Sequence, residues 1–214
     1  MNALRQLSPT VRASTDRAWR REPAVRIIDC VLSLNRKYDA VVVPRLDRFE
    51  RDRPLVRSVV DLNEEIASYP SPYEFVRHTL SYNDIDRAEI LAKVARWLST
   101  IGGGGTPDEQ LTNLESWARS ARYDGYQTLG IRGFALAGFQ YLRMLFGANT
   151  TNPDKRICQW VAEVVGHRVS PVQAFQLLEP AAAEANVSLR DADTTIWEIL
   201  ARGSSGPGVA SRHR

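Results

Sequence analysis

Leu129–Ile157 reads "LGIRGFALAGFQYLRMLFGANTTNPDKRI". Two glycines, Gly130 and Gly133, bracket Ile131 and Arg132 just ahead of a helical apolar pattern. Further on, Asp154 follows Pro153 and stands directly before the next helix. Glycine accepts backbone angles that other residues resist, so Gly-x-x-Gly permits a compact hairpin between helices. The first amides of the second helix then lack acceptors within the helix and sit at the positive end of its dipole, a natural seat for phosphate. Ala135, Ala137 and Gly138 are small enough to let helices approach closely. Asp154 alone is unremarkable, because aspartate is among the best N-cap residues, worth about 1 kcal/mol. The order of these features says more than either one.

Working outward, the whole chain reads as helical. "PAVRIIDCVLSL" (Pro23–Leu34) starts with proline and is polar only at Arg26, Asp29 and Ser33. Those three make one thin polar stripe, so the rest of its circumference should be buried. Pro44 should break or start a helix. "SVVDLNEEIASY" (Ser58–Tyr69) is amphipathic, and "SPYEFVRHTL" carries a Ser-Pro start signal. Asn83–Asp84 cap a longer helix. Gly102–Thr106 form a loop, after which Thr106 and Glu109 make a capping box. The hairpin's second helix is expected over Gly133–Gly147, and the next should run from Asp154 to a stop at Gly166. No segment alternates convincingly with period two. The expectation is all-α, with about ten short helices and a disordered tail at 203–214.

Composition narrows the function classes. Hydrophobic residues make up 43% and charged residues 25%, ordinary for a globular chain. No apolar run approaches the roughly 18 residues of a membrane span. The N-terminus lacks the apolar stretch of a signal peptide, so a cytoplasmic location is expected. Net charge is only +3. Residues 1–60 carry +6 and residues 61–214 carry −3, and lysine occurs only at 37, 93 and 155. Arginine suits bidentate phosphate contacts, although a GC-rich coding sequence gives the same Arg:Lys ratio. Cys30 and Cys158 both lie in apolar helical patterns and are expected to be buried thiols. His78, His167 and His213 share no metal-ligand spacing, so no protein-bound metal is expected. The five tryptophans sit among apolar neighbours and read as core.

In order and spacing, the chain resembles the helix-hairpin-helix (HhH-GPD) DNA glycosylase superfamily, the group of endonuclease III and the alkylpurine glycosylases. "REPAVRIIDCVLSLNRKYDAVVVPRLDRF" looks like its buried first helix and groove-entering segment. "LGIRGFALAGFQYLRMLFG" looks like the hairpin, "TTNPDKRI" like the loop that carries the catalytic aspartate, and "DADTTIWEIL" like the closing helix of some members. The resemblance implies one domain over residues 1–202 with two helical lobes, the N- and C-terminal helices in one and the central helices through the hairpin in the other.

It also implies chemistry: a base flipped out of double-stranded DNA and cut at its N-glycosidic bond. Asp154 matches the catalytic carboxylate, which would stabilise positive charge on the sugar. Gly130, Arg132 and Gly133 would hold a backbone phosphate, with Lys155 and Arg156 adding charge and a monovalent cation at the hairpin. No other cofactor is expected. The lyase lysine of bifunctional members is replaced by Phe134, Ala135 and Leu136, and the four-cysteine iron–sulphur loop is absent. A monofunctional, monomeric glycosylase that leaves an abasic site is therefore implied, in repair or in defence against phage DNA with modified bases. Asn35, Lys37 and Tyr38 fall where the family inserts into the groove or lines the base pocket, and Tyr123 and Tyr126 are candidates for a pocket wall. Each has a plain reading as a surface or core residue. Two alternatives stay open: a non-catalytic helix-hairpin-helix DNA-binding protein, and an all-α protein–protein module.

Overall fold

A computed structural model of the chain describes residues 20–203. Among these the fold is all-α, without strands. Ten α-helices follow one another: α1 Pro23–Ser33, α2 Val43–Asp52, α3 Val59–Ala67, α4 Pro72–Thr79, α5 Ile85–Gly102, α6 Pro107–Ser120, α7 Leu136–Leu145, α8 Lys155–Val165, α9 Pro171–Ala185 and α10 Leu189–Gly203. A π-turn at Tyr38–Val42 leads into α2, and a 3-10 turn at Gly125–Thr128 precedes the hairpin. The described residues fall into two compact units, which divide between Thr150 and Thr151. Helices α1–α7 make the larger unit. Helix α1 lies in the same unit as the central helices.

Most helix starts follow from local side-chain chemistry. Ser58 and Asp61, Thr106 and Glu109, and Ser170 and Gln173 form capping boxes at α3, α6 and α9. Ser71 and Asp84 cap α4 and α5. Proline occupies the first turn of α1, α2, α4, α6 and α9, where its missing N–H costs nothing. Helix α7 begins at Leu136, not at Gly133. Gly133 has φ +85 and belongs to the turn, so it cannot be helical. At the other terminus α10 extends through Gly203, and the rest of the expected tail lies outside the described residues.

Helix α1 is the axis of the larger unit and packs against α2, α3, α5 and α7. Its polar stripe is not at the surface, as its pattern had suggested. Asp29 is fully buried and Arg26 is 9% exposed. Arg26 donates from Nε to the Arg21 carbonyl at 2.6 Å and from Nη1 to the Leu145 carbonyl at 3.1 Å. The Asp29 carboxylate accepts from Ser33 at 2.8 Å, from the Tyr38 hydroxyl at 2.8 Å and from the Tyr141 hydroxyl at 3.2 Å. Buried charge is tolerated when it is so partnered. An aromatic group formed by Trp97, Trp117, Tyr126 and Phe139 fills the space between α5, α6 and α7. Both tryptophans are half-buried at the margin of the core rather than inside it. Trp19 lies outside the described residues.

Helices α8–α10 make the smaller unit around Ile157, Val161, Ala174, Leu178, Leu189 and Ile196. Gly166 ends α8 with φ +79, and Asn186 ends α9 with φ +52. Trp160 and Trp197 are half-buried. Cys158 is half-buried too, against the expectation of a buried thiol, because it faces the Pro153 carbonyl at the edge of this core. Cys30 is fully buried.

Gly138 is where α1 and α7 meet most closely. The Cys30 thiol lies 3.2 Å from its carbonyl. A Cβ there would come within 2.8 Å of Leu34 Cδ2 and 3.0 Å of the Phe134 ring. Gly138→Val should therefore destabilise the larger unit by about 1–3 kcal/mol. Chemical denaturation followed by tryptophan fluorescence checks this, with the midpoint expected to fall.

Candidate functional site

The hairpin is built by backbone geometry. Leu129 N–H donates to the Tyr126 carbonyl at 3.2 Å and closes the 3-10 turn. Phe134 N–H then donates to the Ile131 carbonyl at 3.1 Å, so Ile131–Phe134 form a β-turn with Gly133 at its third position. A positive φ at that position calls for glycine. A Cβ on Gly133 would also meet Ile90 Cδ1 at 2.9 Å. Gly130 has φ +62. Gly130, Arg132 and Gly133 are all exposed, and the turn presents the Arg132 side chain to solvent. Helix α7 has no side-chain cap: Ala135 stands at its N-cap, so no side chain occupies the first amides. Phe134 and Leu136 are buried, and neither they nor Ala135 offers a nucleophile.

Elsewhere in the larger unit, the candidate pocket residues have different fates. Asn35 sits just past the end of α1 with φ +57, exposed, and Lys37 beside it is exposed as well. Tyr38 is half-buried and its hydroxyl is committed to Asp29, so its ring is held in place. Tyr126 packs its ring 6.3 Å from Phe139 and is part of the aromatic group. Tyr123 is half-buried.

In the smaller unit, Asp154 caps α8. Its Oδ1 accepts from the Arg156 and Ile157 amides at 2.9 and 3.0 Å. Among the described residues no donor is paired with Oδ2. Burial raises the Asp154 pKa, against the two amides and the Arg156 charge, which lower it. Lys155 points into solvent. Arg156 folds back, with its guanidinium 4.4 Å from the centre of the Trp197 ring. Its Nη1 is buried without a hydrogen-bond partner, as is Oδ1 of Asn152.

A second carboxylate stands behind Asp154. Asp193 on α10 is 7% exposed. Its Oδ2 accepts from the Thr151 hydroxyl at 2.6 Å and from the Asn152 amide at 3.0 Å. Burial pushes its pKa up to about 7. The Asp154 charge adds to the rise, and the Thr151 and Asn152 hydrogen bonds oppose it. Neither Asp193 nor Trp197 stood out in the sequence, although "DADTTIW" places them four residues apart on one helix face. Among the described residues no group of three or more His, Cys, Asp or Glu is placed to hold a metal ion. None of their helices is long and apolar enough to cross a membrane.

A family model described as Domain of unknown function (DUF8548) matches residues 2–201. The chain belongs to this family. No curated protein and no solved structure matches it.

Asp193 gives the smaller unit a pH signature. In the unfolded chain it ionises near the ordinary aspartate value of 3.8, whereas in the fold it holds its proton to about 7. Between those values the native state binds more protons, so its contribution to stability falls as pH rises. Hydrogen exchange of the α8–α10 amides should show stronger protection at about pH 5 than at about pH 8. Asp193→Asn should flatten that slope. Asp154→Asn should lower the Asp193 midpoint, read by carboxyl NMR.

Proposed function

We propose that this chain is a monofunctional DNA glycosylase that excises a damaged or modified base and leaves an abasic site. The observation that carries the reading is the Asp154 carboxylate. Helix α8 fixes Oδ1 with two amides, and Oδ2 is left with no partner among the described residues. A carboxylate held this way needs little reorganisation to stabilise positive charge on a sugar as its base departs. It also suits orienting or deprotonating the attacking water. Asp154 stands in the loop "TTNPDKRI", which resembles the loop that carries the catalytic aspartate in the helix-hairpin-helix glycosylases.

The hairpin supports a nucleic-acid substrate independently. Its exposed Gly130–Gly133 backbone and the uncapped start of α7 suit a phosphate, with the monovalent cation of the resemblance at the same turn. Arg132 and Lys155 are exposed cations for double-stranded DNA. Asn35, in a left-handed conformation beyond α1, is the candidate for groove insertion, with Lys37 beside it and Tyr38, Tyr123 and Tyr126 as candidate pocket residues. Because Phe134–Leu136 hold no lysine, no Schiff base is formed and strand scission needs added alkali.

The test is a panel of duplexes carrying uracil, alkylated purines, oxidised guanine or modified cytosines, together with DNA from phages with modified bases. Alkali-dependent scission is expected on at least one, and Asp154→Asn should slow it by about 100-fold or more. Arg132→Ala and Lys155→Ala should each reduce the salt dependence of DNA binding by about one unit of slope. Salt-dependent binding without product on every duplex would instead mark a non-catalytic DNA-binding protein. Absence of both would leave the protein–protein reading.

A further inference from the structure

Helix α10 meets the Asp154 loop at two points. Asp193 and Trp197 are one turn apart and share a face. Asp193 Oδ2 holds the Thr151 hydroxyl and the Asn152 amide. The Asn152 carbonyl in turn accepts from the Asp154 amide at 2.6 Å, so only Pro153 separates the anchored residue from the carboxylate. On the other side of Asp154, Arg156 lies over the Trp197 ring at 4.4 Å. The two groups flanking Asp154 each keep an unused polar atom, Asn152 Oδ1 and Arg156 Nη1, both buried without a partner. Buried polar atoms without partners are rare and ask for an explanation. Here one acceptor and one donor flank a carboxylate that is itself half free.

We propose that Asp193 and Trp197 are positioning residues, Asp193 fixing the loop that presents Asp154 and Trp197 fixing Arg156 as the phosphate-binding arm beside it. This rests on the glycosylase reading for its kinetic consequences, but the geometric claim stands apart from it. Asp193 acts through its hold on the loop. Asparagine at 193 can still accept from Thr151 and from the Asn152 amide, and alanine cannot. Trp197 acts through the flat face it offers the guanidinium, which phenylalanine retains in part and leucine lacks.

The experiment uses the full chain and has two arms. In the first, hydrogen exchange of the Asn152 amide is followed in wild type, Asp193→Asn, Asp193→Ala and the milder Thr151→Val, with far-UV circular dichroism as the folding check. Protection should survive in Asp193→Asn and fall by about tenfold or more in Asp193→Ala. On a duplex that the wild type processes, turnover should follow the same order, with affinity for DNA unchanged. In the second arm, binding is measured to a duplex carrying a tetrahydrofuran abasic analogue. Trp197→Leu and Arg156→Ala should each weaken it about tenfold, the double variant no further, and Trp197→Phe should recover most of the loss.

Equal protection in Asp193→Ala and wild type overturns the role of Asp193. So does an Asp193→Asn variant as inactive as Asp193→Ala. Additive losses in the Trp197→Leu/Arg156→Ala pair overturn the role of Trp197. A wild type that processes no duplex overturns the glycosylase reading alone, since amide exchange decides the role of Asp193 and the abasic duplex reads DNA binding without any chemistry.

Discussion

The larger unit depends on one buried charge. Asp29 lies in the middle of the helix against which α2, α3, α5 and α7 pack, and none of its surface meets water. A carboxylate there is costly unless its oxygens are occupied. They are, by Ser33 one turn along α1, by Tyr38 in the π-turn and by Tyr141 on α7. Through those three hydroxyls one carboxylate ties together α1, the π-turn just after it and α7 more than a hundred residues on. The same constraint helps to locate α7, whose start is the second half of the hairpin, and Tyr38, whose ring also packs against the core. An apolar residue at 29 would fill the space without selecting the tyrosine positions. The carboxylate makes the packing specific as well as compact.

Close approach of α1 and α7 does the rest. Gly138 brings the α7 backbone against Leu34 and Cys30, and the hairpin turn before it is supported from below by Ile90 of α5. The glycines of this region therefore do different work. Gly133 supplies a backbone angle, and Gly138 supplies the absence of a side chain. An apolar pattern alone distinguishes neither, because both positions sit in a run that looks helical from Gly133 onward.

That difference shows what a single sequence reveals. Helix starts are written locally: Ser58, Ser71, Asp84, Thr106, Asp154 and Ser170 each cap the helix that follows, through a bond to an amide two or three residues on. The all-α class and the Asp154 N-cap were legible for the same reason. The burial of Arg26 and Asp29 was not, since their partners Leu145 and Tyr141 lie on or beside a helix far along the chain. Asp193 escaped for a similar reason. Its partners Thr151 and Asn152 are some forty residues away, and a lone aspartate in an amphipathic helix looks solvated. The pair Asp193 and Trp197 became meaningful only when the loop they hold was in view.

The two carboxylates of the smaller unit divide their labour by environment. Both are partly or wholly withdrawn from water, and burial alone would favour the neutral form of each. Asp154 meets two amides at the positive end of a helix and the charge of Arg156, which support its ionised form. Asp193 has one hydroxyl and one amide on a single oxygen, too little to outweigh its deep burial beside a second carboxylate, and it keeps its proton to about 7. Asp193, which keeps its proton to about 7, serves below that pH as a neutral anchor beside Asp154. A protonated Asp193 holds Thr151 and Asn152 without setting a second negative charge beside Asp154, so the anchor does not repel the carboxylate whose loop it fixes.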